Sequence, residues 1–227
     1  MRKRGILMSK FVVIDLEMCV VSKNVREKYK PCSEIIQIGA VLVDEMLHVE
    51  SRFECFVCPE FGKIDKFIES LTGIGSADVQ DAPLLTEALE RFFAWLPEED
   101  VIAVSWSMSD RNQFRKELSA KRITIDRMDC LLDRWIDCQA TFTDKIHGFR
   151  QYSLRDAIIA TDIIGDDREH DGLADAYNTA LLFIKMEKED VLILNPYYDI
   201  ACRDEEPTGL SFSLGDMMQG LCLQVSA

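Results

Sequence analysis

Two rhythms of apolar residues alternate along the chain. The run FVVIDL, 11–16, is almost continuously apolar and β-branched and reads as a buried strand. EIIQIGAVLVDE, 34–45, is a longer run of the same kind, and HVESRFECFVCP, 48–59, reads as its antiparallel partner across a short turn at 45–47. The polar segment SKNVREKYKPCSE between the first two runs reads as a loop carrying Lys and Arg. Helical spacing then takes over: IDKFIESLTGI, 64–74, is closed by Gly73, and PLLTEALERFFAWL, 83–96, is a strongly amphipathic helix opened by Pro83. DVIAVSW, 100–106, is a short buried strand, SDRNQFRKELSAK, 109–121, a helix, and RWIDCQA, 134–140, a fifth strand. Helices over 153–160 and 172–189 complete the series. This order predicts an α/β fold with a mixed five-stranded sheet, a meander first and parallel strands later, covered by helices on both faces. The domain is expected over 10–190. Residues 191–227 form a C-terminal tail of turn signals followed by a short apolar patch, a segment suited to dock on the domain or to meet a protein partner.

Composition narrows the chemistry. With 26 Lys and Arg against 40 Asp and Glu, the net charge of −14 opposes long-range attraction to nucleic acid or to anionic membranes. A polyanionic partner would need bound cations or a local basic patch. The 8 cysteines are scattered through a chain large enough to fold without staples, which fits a reducing, cytoplasmic setting. Cys55 and Cys58 stand close together but lack a second Cys/His pair at metal-binding spacing, so they read as strand residues. No stretch approaches the length of an apolar membrane span.

Two carboxylates interrupt the first strand. Ionised carboxylates in an apolar interior cost several kcal/mol each unless paired. Asp15 and Glu17 point to the same side of a strand and repel each other. Asp110 opens the helix after the fourth strand, where an acid caps well. His170, one of 3 histidines, lies five residues before Asp175 in a helix narrowed by Gly172, Ala174, Ala176 and Ala180, which lets it approach the sheet closely. Taken singly, each residue is better explained as a cap or a solvated charge. Together they fall where an α/β sheet gathers strand ends and helix starts, the usual place for a ligand.

The motifs D-L-E at 15–17, an Asp following a strand that ends in Trp106, and H-x-x-x-x-D at 170–175 appear in the order seen in DEDDh 3′–5′ exonucleases, and over about residues 10 to 187 the chain resembles that family of the ribonuclease H-like superfamily. SLTGIGSADVQDAP, 70–83, is similar to the L-T-G-I region of its KapD-like and ERI-like branch. The resemblance implies a metal-dependent 3′–5′ exonuclease that releases nucleoside 5′-monophosphates from the 3′ ends of single-stranded or overhanging RNA or DNA. It implies two Mg²⁺ or Mn²⁺ ions held by Asp15, Glu17, Asp110 and Asp175. Asp15 would bridge both, Glu17 and Asp175 would complete the nucleophile side, and Asp110 would act through water. His170 would be the general base. Met18 and Ser107 depart from the residues common in relatives, which bears on substrate preference. Met18, Leu71, Thr72 and Trp106 are expected beside the terminal nucleotide, with Phe149 as a further stacking candidate. Arg111, Arg115, Lys116, Lys145, Arg150, Arg155 and the Lys23–Lys30 loop are the candidate bases. A regulatory protein of the same fold acting through protein contacts, as in KapD-like relatives, is the competing reading, and an endonuclease of the same fold the next.

Overall fold

The computed structural model describes residues 9–98, 100–148, 150–168 and 170–196. Its elements are β1 (Lys10–Val21), α1 (Lys23–Arg26), β2 (Ser33–Val43), β3 (Val49–Phe56), β4 (Gly62–Lys63), α2 (Lys66–Thr72), α3 (Ser76–Val79), α4 (Leu85–Trp95), β5 (Val101–Ser105), α5 (Ser109–Lys121), α6 (Asp126–Asp133), β6 (Trp135–Asp137), α7 (Cys138–Lys145), α8 (Leu154–Ala160) and α9 (Gly172–Lys188). The sheet runs β3-β2-β1-β5-β6, with β4 pairing beside this path onto the end of β1. Short connections make β1, β2 and β3 antiparallel. Helical crossovers make β5 and β6 parallel to β1, as parallel pairing requires. Among the described residues the sheet therefore has 6 strands, five of them in one continuous order.

β1 shows how the period of two builds the layers. Val12, Ile14, Leu16 and Met18 face one hydrophobic cluster, shared with Ile68, Leu89, Phe92, Phe114 and Leu131 of the helices on that side. Phe11 and Val13 face the other, with Phe142, Ala157, Ala176, Ala180 and Phe183. β2 is buried at every position, as expected of a central strand covered on both faces.

Local chemistry sets the ends of elements. The Asp44 carboxylate accepts from the backbone N–H of Met46 (2.9 Å) and His48 (2.7 Å) and turns β2 into β3. Asp65 caps α2, and Gly73 at φ 71° closes it. Several boundaries differ from the sequence pattern. β1 runs on to Val21, because β2 and β4 supply partners for its polar end. The fifth strand ends at Asp137, whose carboxylate accepts from Ala140 N at 2.8 Å and starts α7 in its place. The polar 22–34 segment contains the single turn α1, and α3 and α6 lie where the sequence pattern assigned nothing.

Leu192 packs into the second cluster, and Asn195 N donates to Ala160 O at 2.7 Å, so the first tail residues lie on the domain. The expected apolar patch of the tail lies outside the described residues. Cys19, Cys55, Cys58, Cys130 and Cys138 are free thiols, whereas Cys32 is disulfide-bonded, which the scatter of cysteines did not predict. No helix among the described residues is long and apolar enough to cross a membrane.

Candidate active site

Where the apolar series Phe11, Val13 would continue on β1, the chain places Asp15 and Glu17, on the face covered by α9. Helix α5 brings Asp110 to the same strand, and its Oδ1 accepts from Leu16 N at 3.1 Å. The start of α9 brings His170 and Asp175. Glu17, His170 and Asp175 each offer a ligand atom, and these atoms lie within 4.8 Å of one another.

The closeness of α9 to the sheet depends on two glycines. A Cβ on Gly39 of β2 would come within 2.1 Å of the Gly172 carbonyl carbon. A Cβ on Gly172 would meet Gln37 Oε1 at 3.0 Å and the Asp15 carbonyl at 3.3 Å. Gln37, opposite Glu17 in the β1–β2 register, accepts from Gly172 N at 2.9 Å and donates to Glu54 at 2.8 Å, tying β3, β2 and the helix start together. Ala174, Ala176 and Ala180 are buried against the sheet. Asp171 caps α9 by accepting from Ala174 N at 3.0 Å, and the His170 backbone N–H donates to Asp175 Oδ2 at 3.1 Å.

Such convergence is electrostatically costly. Burial raises the Asp15 carboxyl well above its ordinary range, and Asp110, Asp175, Glu17 and Asp171 raise it further. Burial does the same to Glu17, helped by Asp175, Asp110 and Asp171. Glu17 is 1% exposed and its Oε2 has no hydrogen-bond partner. A buried, unpartnered carboxylate oxygen amid other carboxylates and an imidazole suits a hard divalent cation.

The other expected residues lie in less direct positions. Met18 is 1% exposed and on the opposite face of β1 from the two acids, so its side chain fills the core. Trp106 is 4% exposed and packs with Phe142 at 6.1 Å between ring centroids. Leu71 packs half-buried on the first cluster, and the Thr72 hydroxyl donates to Ile68 O (2.9 Å) and accepts from Ile74 N (3.1 Å). Phe149 lies outside the described residues.

Of the candidate bases, Arg111 donates to Leu132 O at 2.6 Å, Arg115 pairs with Asp133 at 3.2 Å, and Lys145 donates to the carbonyls of Met186 and Glu189 at the end of α9. Arg150 lies over Tyr152, 4.6 Å from the ring centroid. Arg155 lines a cleft of about 230 Å³ that reaches Asp175. Sequence reasoning missed Gln37 and Asp171. The signal for Gln37 was a lone polar residue in an otherwise apolar strand.

The family model described as Exonuclease (RNase T) matches residues 12–183. The chain belongs to this exonuclease family. Among exonuclease relatives it is similar to ERI1 exoribonuclease 2 of Danio rerio, 33% identical over 198 residues that cover 77% of this chain and 34% of that protein. It is also similar to the 3′-5′ exonuclease Snipper of Drosophila melanogaster, 25% identical over 83% of this chain and 75% of that one. The chain thus spans about a third of the length of the ERI1 relatives it matches. Its fold is shared with the nuclease domain of 3′hExo, a DEDDh family member bound to rAMP, with a TM-score of 0.67, 21% identity and coverage of 83% of this chain and 96% of that one. The shared fold is the ribonuclease H-like one that the sequence resemblance implied.

Proposed function

We propose that this chain is a metal-dependent 3′–5′ exonuclease that hydrolyses the terminal phosphodiester bond of single-stranded or 3′-overhanging RNA or DNA and releases nucleoside 5′-monophosphates. The observation that carries this reading is the convergence of four carboxylates and one histidine on the strand β1. Asp15, Glu17, Asp110 and Asp175 would hold two Mg²⁺ or Mn²⁺ ions, and the orphaned Glu17 Oε2 is the atom best suited to such a ligand role. Bound there, the ions offset the carboxylate charge and supply Lewis-acid stabilisation of the phosphoryl oxygens and the leaving 3′-oxygen. His170 takes a proton from the attacking water as a bond to phosphorus forms and the bond to the 3′-oxygen breaks. Its ring lies within 4.8 Å of the Glu17 and Asp175 oxygens, which puts the base beside the reacting centre. Arg155, at the cleft that reaches Asp175, is placed to hold a phosphate further along the strand.

RNA is the first substrate to try, because relatives with this domain are named exoribonucleases. Of the four residues expected beside the terminal nucleotide, Leu71 keeps a half-exposed side chain for such a contact, whereas those of Met18, Thr72 and Trp106 are buried. The free thiols accord with a cytoplasmic setting and the disulfide at Cys32 argues against it, and the tail after Asn195 is the candidate contact for a protein partner. The complete set of five groups favours catalysis over a purely regulatory use of the fold.

The test is digestion of 3′-labelled and 5′-labelled single-stranded RNA and DNA with Mg²⁺ or Mn²⁺. Asp15→Ala and His170→Ala run alongside. Wild type should release labelled mononucleotide at once from the 3′-labelled strand and shorten the 5′-labelled strand progressively, while Asp15→Ala is inert and His170→Ala is slowed on the order of 10²- to 10⁴-fold with a measurable residual rate. Cleavage that begins internally, or variants as active as wild type, would refute the assignment.

A further inference from the structure

His170 has φ 61°, the left-handed region that a non-glycine residue occupies only when its surroundings impose it. Its backbone N–H is anchored to Asp175, and the next residue, Asp171, is anchored as the cap of α9. The other side of the turn has its own anchor. Asp166 is bound to Asn178 of α9 in both directions, N to Oδ1 at 2.8 Å and O from Nδ2 at 2.9 Å. A Cβ on Gly165 would meet Asn178 Oδ1 at 2.3 Å, so the chain lies directly on that side chain.

One side chain joins the two anchors. The Arg168 guanidinium grips Asp166 through Nε (3.0 Å) and Nη2 (2.8 Å) and reaches Asp171 through Nη1 (3.0 Å). We infer that Arg168 is a positioning residue for His170: by clamping Asp166 to Asp171 it closes the turn that presents the imidazole to Glu17 and Asp175. The inference rests on the reading of His170 as the general base.

The exposure of the clamp separates this role from a stabilising one. The Arg168 side chain is 57% exposed, and pairs so exposed add little to folding stability. Geometry is what the planar fork supplies, two parallel bonds to one carboxylate and a third to another, which a lysine ammonium cannot reproduce. Loosening the turn lets His170 relax from its strained backbone without unfolding α9, whose start is held separately by the Gly172 N–H bond to Gln37 and by its close seat on Gly39.

The experiment is a double-mutant cycle between Arg168 and His170, with single-turnover hydrolysis of a short RNA and Mn²⁺ binding measured on each variant. Arg168→Ala and Arg168→Lys are expected to lower the rate of the chemical step on the order of 10- to 100-fold, the effect of a misplaced catalytic group. Mn²⁺ affinity and KM should stay within about twofold, and the melting temperature should move by under about 3 °C. Asp166→Asn should behave like the Arg168 variants. In the His170→Ala background, Arg168→Ala should have no further effect. An unchanged rate in Arg168→Ala, or the same fold-loss with and without His170, would overturn the inference. A wild-type rate in His170→Ala itself would instead overturn the assignment of the base, and the inference with it.

Discussion

At the scale of single residues, the notable feature of β1 is a carboxylate held where a carboxylate is least stable. Glu17 is 1% exposed, one of its oxygens is unpartnered, and Asp175, Asp110 and Asp171 all surround it with like charge. Because its folded-state pKa lies above the unfolded one, the protonated form is favoured by folding, and the associated stability is lost as pH rises through the folded value. Glu17→Gln should therefore raise the melting temperature in EDTA, with a larger gain at pH 8 than at pH 5. Mn²⁺ should reverse the ranking, stabilising wild type on the order of 3 kcal/mol at a hundredfold excess over Kd while leaving the variant almost unmoved. Thermal denaturation with and without Mn²⁺ at the two pH values checks this. An EDTA-treated variant less stable than wild type at pH 8 would contradict it. Asp15 and Glu17 were legible as a pair from the period of two alone. The burial of Met18 and Trp106 was not, because which face of a strand meets the core depends on the helices laid over it.

At the scale of elements, α9 works because it can approach the sheet to backbone contact. Gly39 and Gly172 face each other at a distance that excludes any side chain. Gly39→Ala drives a methyl group into the backbone of α9, a strain of roughly 1–3 kcal/mol or more. The helix start must shift, and with it His170 and Asp175, so kcat should fall by about 100-fold, well beyond what the stability loss explains. Steady-state kinetics at a temperature where the variant is fully folded separates the two effects, and an active Gly39→Ala would refute the close-approach argument. The narrowness of α9 could be read from Gly172, Ala174, Ala176 and Ala180. Its partner Gly39, more than a hundred residues away, could not, because a lone glycine in a strand says nothing about what lies above it. Short elements such as α1, α3 and β4 were equally invisible, since one turn of helix or two paired residues carry too little periodicity.

At the scale of the whole molecule, a buried ionic cluster fastens α5, and so Asp110, to the far side of the sheet. Asp110, Gln113, Glu117 and Lys121 follow one face of that helix. Lys121 Nζ reaches Glu34 of β2 (2.7 Å), Glu60 (2.9 Å) and Glu117 (3.0 Å). Glu34 in turn accepts from the N–H groups of Glu60, Phe61 and Gly62, and Glu117 accepts from Ile35 N. Burial pushes Glu117 from its ordinary 4.5 up to about 7, opposed mainly by Lys121. The raised folded value means that the stability tied to this proton is fully present below about pH 4.5 and is lost as pH rises through about 7. The melting temperature of wild type should therefore fall relative to that of Glu117→Gln between pH 5 and pH 8, at constant ionic strength. Parallel curves for the two proteins would show that Glu117 does not titrate in that window. Lys121→Met, which strands two buried carboxylates, should cost about 3–5 kcal/mol by denaturant unfolding.

The sequence by itself determined the order of the longer strands and helices and the two-faced alternation of β1, which follow from local periodicity, and its family resemblance pointed to the five groups proposed for the site. Tertiary structure decided which atoms meet: that Asp110 turns back to Leu16 N, that Gly39 admits α9, that Gln37 ties three elements, and that Arg168 holds the His170 turn. Those pairings join positions far apart in the chain or depend on a backbone angle. They are set by the packing of both layers on the sheet, which no local pattern of residues records.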